Sequence, residues 1–239
     1  MRHGKLLVRE FETETDRGLR LVMDASQSMA YKSDGAPGAK LAFAALVAAA
    51  LARVALSSAD TVSLDWIGGA RARPLNAMGG MEAFERLTDV LEMVEPGGDA
   101  SREPALLDRA LDAVARRTRR GTVIVILSDF LDLPAGSDDR LVALSSGGRI
   151  IVGVRVLDPA EALFPFEGPT LLSSSEGDVH VETDGASARE GYLKALAAQM
   201  GRYRDKLVSQ GGRFVEATTT DDPIIVVQSV LAALGGADA

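Results

Sequence analysis

The feature of this chain that most narrows its fold is the regular alternation of short apolar runs with longer stretches of helical spacing. Thr122 to Leu127 is continuous, apolar and rich in β-branched residues. Such a run suits a strand covered on both faces, which is the situation in a parallel sheet flanked by helices. Leu106, Leu107, Ala110, Leu111 and Val114 repeat at three- and four-residue spacing and supply one covering helix. The pattern predicts an α/β fold of three layers, with a mostly parallel central sheet, one antiparallel edge strand and helices on both faces.

Along the chain, Leu19 to Met23 reads as the first buried strand, the polar stretch Asp24 to Gly38 as a loop, and about Ala39 to Leu56 as a helix. Thr61 to Ile67 is a strand, Gly68-Gly69 a tight turn, and Ala70 to Leu75 its expected antiparallel partner, because a two-residue glycine turn is a hairpin signal. Helices follow over Glu82 to Met93 and from near Ala105, then strands at Thr122 to Leu127 and Arg149 to Val156. Prolines and glycines weaken the pattern between 159 and 184, where Thr170 to Leu172 and Val179 to Glu182 around Glu176-Gly177-Asp178 suggest an inserted hairpin. A helix from about Ala188 to Gln210, a strand at Phe214 to Thr218 and a helix from Asp222 to Leu234 close the chain. The domain reading is an N-terminal extension or edge strand over 1–18, with Lys5 to Glu12 as its extended part, and a single domain over 19–239.

Composition excludes several chemistries. The 239 residues contain no cysteine and two histidines, so thiolate nucleophiles, iron–sulfur clusters and zinc–thiolate sites are ruled out. A metal would be held by oxygen atoms, which favours hard cations such as Mg²⁺, Mn²⁺ or Ca²⁺. The formal charge of −8 argues against a nucleic-acid surface. The first residues lack the apolar core and cleavage site of a signal peptide, and Leu41 to Leu56 is short for a membrane span, so the expected location is cytoplasmic. Arg116, Arg117, Arg119 and Arg120 stand at a helix end, where the helix dipole favours them.

Ligands of open α/β sheets bind outside the carboxyl ends of the strands. Two strand ends here carry acids, Met23-Asp24 and Ser128-Asp129. The first continues as Asp24-Ala-Ser26-Gln-Ser28, whose alternating oxygen side chains can converge on one side of a departing loop. A helix-capping role is the plainer alternative for these residues. As a metal loop, Asp24, Ser26 and Ser28 would combine with Asp129 to hold a hard cation that keeps open positions for water.

The Asp-x-Ser-x-Ser spacing after an apolar strand resembles the metal-ion-dependent adhesion site (MIDAS) of the von Willebrand factor type A (vWA) fold, a three-layer Rossmann-like domain. Asp24, Ser26 and Ser28 match its first motif, and Asp129 in Leu127-Ser-Asp-Phe130 matches its third-loop aspartate. The family's second loop presents a threonine that this chain lacks; Ser101 stands closest to that position, with Asp99 as the alternative. A closer resemblance is to a bacterial family of uncharacterised (DUF) A-domain proteins encoded beside MoxR-type AAA ATPases, carried by Gly4-Lys-Leu-Leu-Val-Arg-Glu-Phe11, Asp158-Pro159, Gly168-Pro169-Thr170 and Thr219 to Pro223. Members often have further residues upstream, so a truncated piece and a short member are both open.

The resemblance implies a non-enzymatic, metal-dependent protein-binding module. Mg²⁺ would accept a Glu or Asp from a protein partner, and that partner would be a MoxR-type AAA ATPase acting in assembly or maturation of other proteins. The competing reading is a Mg²⁺-dependent phosphoryl-transfer or hydrolytic enzyme. Against it stand the lack of a Gly-x-x-x-x-Gly-Lys-Ser/Thr phosphate loop and Ser26 in place of a second aspartate. An A-domain subunit of a chelatase-like ATPase complex is a third possibility, but the ATPase or acidic linker of that family is not in this chain.

Overall fold

The computed structural model describes residues 18–131, 133–173 and 180–235. Eight strands and seven helices alternate through them: β1 (Gly18–Ala25), α1 (Lys40–Ser57), β2 (Thr61–Gly68), β3 (Leu75–Met78), α2 (Met81–Met93), α3 (Pro104–Arg117), β4 (Val123–Ser128), α4 (Ser137–Ala143), β5 (Ile150–Leu157), α5 (Pro159–Leu163), β6 (Pro169–Ser173), β7 (His180–Asp184), α6 (Gly185–Ser209), β8 (Arg213–Thr218) and α7 (Pro223–Gly235). A six-stranded sheet has the order β3-β2-β1-β4-β5-β8, and β6 and β7 form a separate antiparallel pair. All neighbours in the large sheet are parallel except β2 and β3.

Period-two alternation splits the core into two layers. On β1, Leu19, Leu21 and Met23 join Leu64 and Trp66 of β2 beneath α1, α2 and α7. Val22 points the other way, with Ile124 and Ile126 of β4, toward α3, α4 and α6. The 18-residue α1 is long and apolar enough by composition to cross a membrane, yet it packs Leu41, Ala44, Val47, Ala48 and Leu51 against the sheet. The three-layer α/β arrangement expected from the sequence is the one observed.

Two details depart from the sequence reading. The antiparallel partner of β2 is Leu75–Met78, not Ala70 to Leu75. Gly68 and Gly69 do turn the chain with positive φ, but Ala70 then pairs with Glu95, and Arg71 adopts φ 57 before Pro74. The hairpin therefore has a wide loop. Helices α4 and α5 were not anticipated; both are short, and α5 rests on a reciprocal cap in which Asp158 accepts from the Ala160 N–H while Glu161 accepts from the Asp158 N–H. The inserted hairpin forms as Pro169–Ser173 against His180–Asp184. Its tip at Glu176-Gly177-Asp178 and the Lys5 to Glu12 strand lie outside the described residues.

Candidate metal centre

The chain runs from β1 outward to β2 and β3 on one side, whereas β4, β5 and β8 lie on the other, so the sheet reverses direction between β1 and β4. Crevices at such reversals, outside the carboxyl ends of the strands, are where α/β sheets place ligands. Asp24 is the penultimate residue of β1, and Asp129 follows β4 directly. Both are buried, as are Ser26 and Ser28.

The loop is shaped by its own oxygens. Asp24 Oδ1 accepts the Ser26 N–H at 2.9 Å, and the Ser26 and Ser28 hydroxyls lie 3.2 Å apart. The chain then enters a single 3-10 turn at Gln27–Ala30, which buries Ser28 and Met29. From β4, the Ser128 hydroxyl donates to Asp24 Oδ2 at 2.7 Å and accepts the Phe130 N–H at 2.9 Å, so it locks the two strand ends together. Phe130 holds φ 57, a conformation costly for a bulky residue. Its ring is buried against Tyr203 and Phe214, and Gln199 donates to its carbonyl at 3.0 Å. That packing keeps the turn after Asp129 in place.

No motif points to the group facing Asp129. Lys40, the first residue of α1, is fully buried, and its ammonium donates to Asp129 Oδ2 at 2.7 Å and to Glu161 Oε1 at 2.6 Å. Burial alone would depress its pKa, but the Asp129 and Glu161 carboxylates together hold it above the usual lysine range. Burial raises Glu161 despite Lys40. Asp24 has no such counter-ion: burial first, and then the charge of Asp129, push its carboxyl up to about 6 against the hydrogen bonds from Ser128 and Ser26. Asp158 Oδ2 accepts the Ser33 N–H at 2.8 Å, which ties the end of β5 to the same loop.

The second loop reaches the first through its backbone. The Gln27 N–H donates to the Gly98 carbonyl at 2.9 Å, and the Gly97 N–H to the Ala25 carbonyl at 2.8 Å. Asp99 is half-buried, with Oδ1 accepting from the Ser101 hydroxyl at 2.6 Å and the Arg102 N–H at 2.8 Å. Ser101 is exposed. Of the two second-loop candidates, Asp99 thus sits nearer the loop's buried side, and Ser101 spends its hydroxyl on Asp99.

The donor set suits a hard divalent cation. Two buried carboxylates repel one another, two serine hydroxyls face each other beside them, and every candidate donor is oxygen. Among the described residues no group of three or more His, Cys, Asp and Glu side chains could hold a metal ion. A cation here would therefore rely on hydroxyls and water to complete its shell.

Residues 1–202 match the family described as protein of unknown function DUF58. The chain belongs to the DUF58 family. This DUF58 chain is also 32% identical over 117 residues to the uncharacterised protein MAV169 of Mycobacterium avium, covering 48% of this chain and 68% of that one. Among solved structures, it is similar to BatB of Bacteroides thetaiotaomicron, at 15% identity and a TM-score of 0.54 over 91% of this chain and 98% of that one. It is likewise similar to an aerotolerance-related membrane protein of Bacteroides fragilis, at 16% identity and a TM-score of 0.58 over 92% and 98%. The two likenesses concern the fold.

Proposed function

We propose that this DUF58 domain is a metal-dependent protein-binding module of the adhesion type, without catalytic activity of its own. One observation carries the reading. Asp24, Ser26, Ser28 and Asp129 are buried together at the reversal of the sheet, and Lys40 already engages one Asp129 oxygen. A Mg²⁺ ion held there would face Asp24 as its one carboxylate not shared with a lysine. It would retain positive charge for a Glu or Asp brought by a protein partner. Mn²⁺ or Ca²⁺ fit the same oxygen donors.

The chain's own residues have separate parts in this scheme. Asp24 supplies charge, Ser26 and Ser28 supply neutral oxygens, Ser128 orients Asp24, and Lys40 fixes Asp129. Asp99 or Ser101 would complete the rim. The partner proposed from the family resemblance is a MoxR-type AAA ATPase in the cytoplasm, acting in assembly or maturation of other proteins.

The test is a binding titration of the purified chain against a MoxR-type ATPase from the same source, in Mg²⁺ and in EDTA. Binding is expected in Mg²⁺ and lost both in EDTA and in Asp24→Ala. Equal binding by wild type and Asp24→Ala, with and without EDTA, would overturn the metal bridge.

A further inference from the structure

At the opposite end of the sheet lies a cavity of about 540 Å³, within the size range of small-molecule sites. It opens at the amino ends of β1, β2 and β4, marked by Gly18, Thr61 and Thr122. Its polar lining comes from Arg20, Arg117 and Arg119, the hydroxyls of Ser63, Thr118 and Thr122, and Asn76. No carboxylate lines it among the described residues. In a chain of formal charge −8, a cavity lined by three arginines and, among the described residues, by no carboxylate departs from the average surface.

Arg20 is the informative residue. It is 4% exposed, on the face of β1 opposite Leu19 and Leu21. Its Nη1 donates to Asp65 Oδ2 at 2.5 Å, which balances its charge. Its Nη2 makes only a long 3.4 Å contact with the Arg117 carbonyl, and its Nε has no hydrogen-bond partner. The Nη2 arm, which reaches toward another lining residue, thus keeps donor capacity that a planar anion or phosphoryl group would use well. The Arg117 side chain is exposed at the rim.

We propose that this cavity binds a small soluble phosphate or phosphate ester, held by the guanidinium groups of Arg20 and Arg117, with the Thr61 and Thr122 hydroxyls as additional donors. The site is independent of the metal loop. From Gly18 to Asp24 the strand rises about 20 Å, which separates the two ends of the sheet. The basic run at the end of α3 thereby acquires a role beyond complementing the helix dipole.

The experiment is calorimetric titration of the full chain with inorganic pyrophosphate, in EDTA and at fixed ionic strength, so that no divalent metal bridges the probe to Asp24. Saturable binding is expected, weakened about tenfold or more in Arg117→Ala and in Arg20→Lys, which keeps a charge against Asp65 but loses the second arm of the guanidinium fork. Unchanged circular dichroism verifies that both variants fold. Flotation with phosphatidylglycerol vesicles, against phosphatidylcholine controls, separates a lipid headgroup from a soluble phosphate. Vesicle binding without pyrophosphate binding, no saturable binding, or equal affinity in wild type and both variants would each overturn the proposal.

Discussion

Withdrawal from water and the nearby charge of Asp129 lift the Asp24 carboxyl to about 6, from 3.8 for a free side chain. The unfolded chain therefore loses this proton at lower pH than the folded one. Between those two values the native state holds more protons than the unfolded state, so Asp24 makes stability fall as pH rises. Below about 3.8 it exacts no penalty, and above about 6 the penalty is complete. In EDTA, Asp24→Asn should gain stability relative to wild type between pH 4 and pH 6.5, roughly the interval those values bracket, and the difference should level off above it. Urea midpoints across that range measure it, and a difference independent of pH would remove the account. The same linkage makes Mg²⁺ compete with a proton at this carboxylate, so its apparent affinity should decline on acidification through the upper value.

Among the elements, the end of β2 constrains the loop it does not belong to. Gly68 has φ +68, and a Cβ there would stand 2.7 Å from the Gly97 carbonyl oxygen and 3.3 Å from the Ser26 backbone. Gly68→Ala should therefore cost more than about 1 kcal/mol and weaken Mg²⁺ binding together with it, because relief of the clash displaces both loops of the candidate centre. Thermal melts and calorimetry would show both effects, and wild-type values in both would refute the coupling. Much of the fold was legible because each strand and long helix advertises itself locally, as Val123 to Leu127 and Leu107 to Val114 do. The partner of β2 slid to Leu75–Met78 because the Ala70–Glu95 bridge, a tertiary choice, claimed the residues after the turn. At the site, Asp24, Ser26, Ser28 and Asp129 could be read from spacing after apolar strands, and the structure brings them to one end of the sheet. Lys40 could not. Nothing in its neighbours along the chain marks it, because its two acceptors come from 89 and 121 residues away. Ser128 looked like a strand terminator, although its hydroxyl joins β4 to Asp24.

For the molecule as a whole, Lys40 is a junction between α1, the end of β4 and the start of α5. Lys40→Met keeps the side chain's length but strands a buried Asp129 and a largely buried Glu161. Removal of one partner from a buried ion pair typically costs about 3 kcal/mol or more. Denaturant unfolding of the metal-free chain at neutral pH should show a loss of that order, with part restored by Mg²⁺. A loss under about 1 kcal/mol would mean that water or rearranged side chains take the lysine's place. The junction also bears on how the protein is made. Its parts leave the ribosome far apart in time, and the candidate centre cannot close until residue 161 of 239 has emerged. Until then the nascent chain carries Asp24 and Asp129 without the full clasp that holds them. Helix α6 and strand β8 then bring Gln199, Tyr203 and Phe214 against Phe130 and fix the turn after Asp129 last.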